Sequence, residues 1–133
     1  MRPGRELDCF VAENVLKHPI KVKQRQLWEI TELGERPLKK YTRDMAAAWE
    51  IAEKMGITVI PVQPNTWFAF VGKGGRWENP AEFIAFLQKG DFLQSGAAVG
   101  EDPAETICQA AFHAIQKTPM AQAPTVEENP QLN

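Results

Sequence analysis

The middle of the chain, residues 42–71, constrains the fold most, because it encodes a capped helix followed directly by two strands. Thr42 is a typical N-cap residue, and Gly56 is placed to end the helix. The runs 57–62 and 66–71 are rich in β-branched and aromatic residues and are separated by a short turn, which predicts a hairpin. Helix and hairpin together favour an antiparallel sheet packed against helices.

Apolar residues at helical spacing predict which face of this helix is buried. They form a stripe of Met45, Ala48, Trp49, Ala52 and Met55. Trp49 lies in the middle of the stripe, so we expect it in the core. Truncating a buried tryptophan to alanine costs roughly 3–5 kcal/mol, and the stripe therefore predicts that Trp49→Ala is severely destabilising.

Two later helices begin with the same chemistry, an Asx cap, a proline at the first helical position and a glutamate two residues later. The two starts are Asn79-Pro80-Ala81-Glu82 and Asp102-Pro103-Ala104-Glu105. A further helix is predicted over residues 6–16, short strands within 20–30, and one more strand within 91–100. The predicted fold class is α+β, a small, mainly antiparallel sheet flanked by helices in an α/β sandwich.

The chain of 133 residues, 44% apolar and 24% charged, has the composition of one globular domain. We expect that domain to span residues 1–117. Residues 118–133 contain three prolines and few large apolar residues, which predicts a disordered tail. The net charge of −2 argues against a general nucleic-acid binder, which would be strongly basic.

The cysteines and the N-terminus point to the cytoplasm of a bacterial host. Cys9 and Cys108 are far apart and match no metal or redox spacing. No signal-peptide core follows Met1, and no apolar run is long enough to span a bilayer. We therefore expect no contact with a membrane.

Three blocks of sequence resemble the phage ABA-sandwich domain family. They are Gly4-Arg5-Glu6-Leu7-Asp8 with Val11-Ala12-Glu13, Tyr41-Thr42-Arg43-Asp44-Met45-Ala46-Ala47-Ala48-Trp49-Glu50, and Pro103-Ala104-Glu105-Thr106-Ile107-Cys108-Gln109-Ala110-Ala111. The resemblance covers residues 4–115. It implies helices around a small sheet and a phage or prophage origin, and it implies no reaction and no catalytic residues.

The glycine-rich loop 72–77 is the first candidate ligand-binding site. Its glycines could expose backbone amides to an anion, Lys73 and Arg76 could pair with phosphates, and Trp77 could stack on a base. The alternative is a hairpin turn whose tryptophan packs into the core.

A second candidate patch combines Lys21, Lys23 and Arg25 with the nearby Trp28. Alternating lysines also protect edge strands from pairing with other chains, so a purely structural role is the alternative.

No catalytic set is visible in the sequence. His18 and His113 are the only histidines, and neither has an evident cysteine, histidine or acidic partner. We therefore expect no metal site, no cofactor and no enzymatic activity.

These observations predict a non-catalytic, phage- or prophage-encoded accessory binding protein. It would act in counter-defence by occupying a host protein or by sequestering a nucleotide signal. The alternatives are a nucleotide- or nucleic-acid-processing enzyme and a structural protein of the virion or of replication. The partners left open are a host protein, a nucleotide ligand, and further copies of the chain in a homo-oligomer.

Overall fold

The computed structural model describes residues 4–72, 79–90 and 96–117, and over these ranges the chain forms four helices and six strands. In chain order they are α1 (Arg5–Asn14), β1 (Ile20–Lys23), β2 (Gln26–Thr31), β3 (Gly34–Pro37), α2 (Met45–Met55), β4 (Ile57–Gln63), β5 (Thr66–Val71), α3 (Pro80–Lys89), β6 (Ala97–Gly100) and α4 (Pro103–Gln116).

The strands divide between two antiparallel sheets of three strands each, β1-β2-β3 and β4-β5-β6. The predicted α+β class is therefore confirmed. The predicted hairpin is also present as β4 and β5, and Pro61 lies on an edge strand where the register shifts. This placement follows because proline cannot donate to a ladder.

Helices cover both faces of the β4-β5-β6 sheet. On one face lies α4, against which α1 and α2 pack, and most of the core is there. On the other face, Phe83 and Phe86 of α3 pack against Phe70 of β5, with ring centroids 6.4 and 6.0 Å apart. The β1-β2-β3 sheet joins the main core through Ile20 and Leu27.

The caps of α3 and α4 form as their sequences predict. Asn79 Oδ1 accepts a hydrogen bond from the Glu82 N–H at 2.9 Å, and Asp102 Oδ1 accepts one from the Ala104 N–H at 3.1 Å. The left-handed backbone of Gly90 ends α3.

The start of α2 differs from the prediction. Asp44 is the N-cap, and its side chain accepts a hydrogen bond from the Ala46 N–H. Thr42 is buried instead, where its N–H donates to Asp8 Oδ1 at 2.8 Å and its hydroxyl accepts from the Gly4 N–H at 3.3 Å. Thr42 therefore ties α1 to the loop before α2.

The third strand, β3, contains a glycine and a proline, two residue types that usually interrupt regular structure. Gly34 and Pro37 stand at the two ends of the strand, opposite Thr31 and Trp28 of β2. A short edge strand tolerates both residue types because one of its sides needs no ladder partner.

The placement of Trp49 in the core is wrong, since its side chain is 48% exposed. The buried face of α2 consists of Ala47, Ala48, Ile51 and Ala52. Small alanine side chains let the helix approach its neighbours closely, so the packed face centres on Ile51 and leaves Trp49 at its border. Trp67 on β5 is half-buried.

Two other sequence-based expectations concern the tail and the membrane. The predicted tail 118–133 lies outside the described residues. Within the described ranges, no helix has the length and apolar character needed to cross a bilayer.

We expect Trp49→Ala to lower the free energy of unfolding by about 1 kcal/mol, because about half of the ring is already in contact with water. The matched variant on the same helix is Ile51→Ala, which removes a fully buried side chain and should cost about 2–5 kcal/mol. Thermal or denaturant unfolding of both variants measures the difference. Equal losses would mean that the indole ring contributes to the core after all.

Candidate functional site

Glu29 is a fully buried carboxylate in the middle of β2. Its side chain lies on the inward face of the β1-β2-β3 sheet, and its neighbours across the strands are Ile20 and Arg36. Burying an ionised carboxylate is costly unless it is paired and hydrogen-bonded. The partners of Glu29 therefore determine whether this part of the fold is stable.

Both carboxylate oxygens of Glu29 are hydrogen-bonded. Oε1 accepts from His18 Nδ1 at 2.8 Å and from the Tyr41 hydroxyl at 2.7 Å. Oε2 accepts from the backbone N–H of Lys39 at 3.0 Å and also lies 3.0 Å from the Tyr41 hydroxyl. Arg36 Nε is 3.4 Å from Oε2 without hydrogen-bond alignment, so that contact is an ion pair. One carboxylate thus joins four separate segments of the chain.

These contacts hold Glu29 in its ionised form. Burial alone disfavours the charge, but the bonds from His18, from the Lys39 N–H and from Tyr41, together with the Arg36 charge, keep the pKa of Glu29 below its usual value. Burial and the bond to the carboxylate raise the pKa of Tyr41, so the phenol remains a donor.

The local sequence around His18 brings its ring to Glu29. Lys17 adopts a left-handed backbone, with φ of 61°, which turns the chain after α1. The His18 N–H then donates to the Ala12 carbonyl at 2.9 Å, and Pro19 restricts His18 to an extended backbone. Because an ionised carboxylate can only accept, Nδ1 of His18 carries a proton. Nε2 is the ring nitrogen left for a ligand, as an acceptor in the neutral ring and as a donor in the imidazolium that an anionic ligand favours.

His18 and Arg36 line an open cavity of about 610 Å³, here called the His18 groove. The side chains of His18 and Arg36 are 21% and 35% exposed, so both can be reached from solvent. The other lining residues are Leu16, Lys17, Ile30, Thr31, Glu32, Leu33 and Glu50. The groove combines apolar walls with cationic and anionic groups, a composition that suits a polar small molecule.

The sequence-based view of His18 needs correction, because it has an acidic partner in Glu29. The sequence pattern also does not single out Glu29 as a residue of the candidate site. The structure places Glu29 inward and leaves Trp28 and Ile30 half-buried. The strand pattern gives no signal for this orientation, because the groups that satisfy Glu29 come from residues 18, 36, 39 and 41.

The lysine patch on β1 is explained by local pairing. Lys21 and Lys23 contact Glu35 of β3 at 3.2 and 2.6 Å, and the Lys23 ammonium lies 5.0 Å from the centre of the Trp28 ring. Arg25 lies in the tight turn between β1 and β2. These contacts favour the alternative interpretation, in which the lysines protect an edge strand.

The first predicted ligand site, Lys73, Arg76 and Trp77, lies outside the described residues and stays a prediction. Among the residues that the structure does describe, no cluster of three or more potential metal ligands occurs. Cys9 and Cys108 are free thiols, and burial raises the pKa of Cys108.

Comparison with known proteins supports the fold and gives no family. No protein-family model matches the chain, and no curated protein matches it. Among solved structures, it is similar to a 2.0 Å crystal structure of a phage protein from Bacillus cereus ATCC 14579, with a TM-score of 0.53 and 16% sequence identity. The similarity covers 86% of this chain and 92% of that chain. It therefore extends over nearly the whole of both molecules and concerns the fold.

We expect Glu29→Gln to destabilise the fold at neutral pH by about 2 kcal/mol, because hydrogen bonds to a charged group are lost. The folded-state pKa of Glu29 is lowered, so its contribution is complete above the ordinary glutamate value of about 4.3 and is lost as pH falls through the folded-state value. The difference between wild type and variant should therefore shrink in acid. Unfolding measured from pH 7 to pH 3 tests this expectation.

The matched control is Glu35→Gln, which removes a carboxylate that is exposed and paired with two lysines. It should change stability at neutral pH little, because exposed ion pairs contribute little. A Glu29 variant that behaved like the Glu35 variant would mean that the buried network does not hold the fold together.

Proposed function

We propose that this chain is a phage- or prophage-encoded accessory binding protein of the ABA-sandwich type, and that it binds a small molecule in the His18 groove. The observation that carries the proposal is that Glu29 fixes both His18 and Arg36, and that both side chains line the same open cavity. Side chains held in place before a ligand arrives lose little conformational freedom when it binds.

The size of the groove supports a small ligand. Cavities that hold small molecules usually have volumes of about 300–1,000 Å³ and a few polar groups among apolar walls. The His18 groove, at about 610 Å³, falls in that range. Of the two binding roles that the sequence suggests, sequestration of a nucleotide signal therefore has more support here than occupation of a host protein.

The phage origin is part of the proposal. The similarity to the Bacillus cereus phage protein supports it, as do the three sequence blocks that resemble the ABA-sandwich family. A counter-defence role would follow if the ligand proved to be a signal made by the host during infection.

A second candidate function is catalysis on a nucleotide, which the His18–Glu29 pair favours. A carboxylate that orients an imidazole is a common arrangement for general acid–base chemistry. The remaining groove residues argue for binding without reaction. Among the described residues that line the groove, Thr31 has the one hydroxyl; it donates to the Gly34 carbonyl and accepts from the Leu33 N–H, so it is engaged in a turn.

We expect calorimetric titration with mononucleotides and cyclic dinucleotides to detect binding that His18→Gln weakens about ten-fold or more. Losing one hydrogen bond to a charged ligand group costs roughly 1.5–3 kcal/mol, which sets this lower limit. Recovery of intact ligand after denaturation supports sequestration, whereas a converted nucleotide supports the enzyme.

Matched variants locate the site. Lys17→Gln and Lys21→Gln remove the same charge from two exposed positions, of which Lys17 lines the groove and Lys21 does not. Binding should weaken in the first variant and stay unchanged in the second. The double variant Lys73→Ala and Arg76→Ala tests the competing loop. Full affinity in His18→Gln and Lys17→Gln, with a loss in the loop variant, would reject the groove.

A further inference from the structure

Glu50 on α2 separates the His18 groove from a second cavity of about 370 Å³. The second cavity is lined by Pro37, Leu38, Lys39, Lys40, Asp44, Ala46, Ala47 and Glu50. Within the part of the chain that the structure describes, Glu50 is the residue that lines both cavities, and its side chain is 37% exposed. Its carboxylate therefore stands at the boundary between them.

Two cations, one on β3 and one just after it, converge on the Glu50 carboxylate. Lys39 Nζ donates a hydrogen bond to Oε2, and Arg36 Nη2 lies 4.0 Å from Oε1. Arg36 faces the His18 groove, and Lys39 faces the second cavity. The Glu50 carboxylate therefore lies between Arg36 and Lys39. An anion that spanned both cavities would contact the same two cations.

We expect the fold to tolerate the loss of these ion pairs. All three side chains are about one-third exposed, and ion pairs at such positions contribute little to stability. Arg36 would keep its contact with the buried Glu29 if Glu50 moved away. The Glu50 side chain can therefore be displaced at low cost by a group that pairs better with the same cations.

Phosphate groups pair with arginine and lysine through more oxygens and more charge than a carboxylate does. With Glu50 displaced, the joined cavities would present Lys17, Arg36, Lys39 and Lys40, alongside the ring of His18. Of the described lining residues, Glu32 and Asp44 would be the carboxylates left, and Asp44 already caps α2. Cations then outnumber carboxylates among these described residues.

We propose that the ligand of the His18 groove carries a phosphate or pyrophosphate group that replaces the Glu50 carboxylate between Arg36 and Lys39. This inference rests on the proposed function. It adds the chemical class of the ligand, and it makes Glu50 a group of the protein that competes with the ligand for Arg36 and Lys39. Glu50 occupies the anion position in the free protein, so weakly charged molecules do not displace it.

The test is a calorimetric titration of wild type, Glu50→Gln and Glu53→Gln with inorganic pyrophosphate at low ionic strength. Glu53 lies on the same helix, is exposed and lines neither cavity, so its variant is a matched control for net charge. Glu50→Gln should bind pyrophosphate about ten-fold more tightly than wild type, which corresponds to about 1.4 kcal/mol. Glu53→Gln should stay within about two-fold of wild type.

Two outcomes would overturn the inference. Unchanged or weaker pyrophosphate binding in Glu50→Gln would mean that Glu50 does not compete with the ligand. The proposed function would still be supported in that case if Lys17→Gln lost nucleotide binding. No pyrophosphate binding to wild type or to Glu50→Gln would reject the phosphate class. An equal gain in pyrophosphate affinity in Glu50→Gln and Glu53→Gln would mean that the effect comes from net charge, and this result would also reject the competitor role of Glu50.

Discussion

The buried Glu29 carboxylate is the constraint on which much of the first half of the chain depends. A charge without access to water must be satisfied entirely by the protein, and here the donors come from the turn after α1, from β3 and from the loop before α2. Removing any one donor leaves the others around a less well-compensated charge. The position of the β1-β2-β3 sheet beside α1 is therefore fixed by electrostatics as well as by apolar packing.

The same network prepares the candidate site. His18 and Arg36 would be mobile side chains on an ordinary surface, but their contacts with Glu29 hold them at the edge of one cavity. The Glu29 carboxylate is buried, so it can orient these groups without itself competing for a ligand. Glu50 differs from Glu29, since it is partly exposed and pairs with two cations at the boundary between the two cavities.

Several elements follow from the sequence because their causes are local. The starts of α3 and α4 and the end of α2 could be predicted, because the caps at Asn79 and Asp102, the proline after each, and Gly56 act within a few residues. Trp49 could not be placed, because helical spacing gives the width of an apolar stripe and leaves open which part of it meets the neighbouring elements.

Short-range backbone preferences in the sequence are enough to predict the α+β class, the order of most helices and strands, the β4-β5 hairpin and the caps of α3 and α4. The inward orientation of Glu29 and the shared groove of His18 and Arg36 follow only from the tertiary structure. Both depend on partners of Glu29 that lie seven to twelve residues away along the chain and whose donors and acceptors must be matched in space. No periodic pattern encodes such matching, because the energy of a buried charge depends on its complete set of partners.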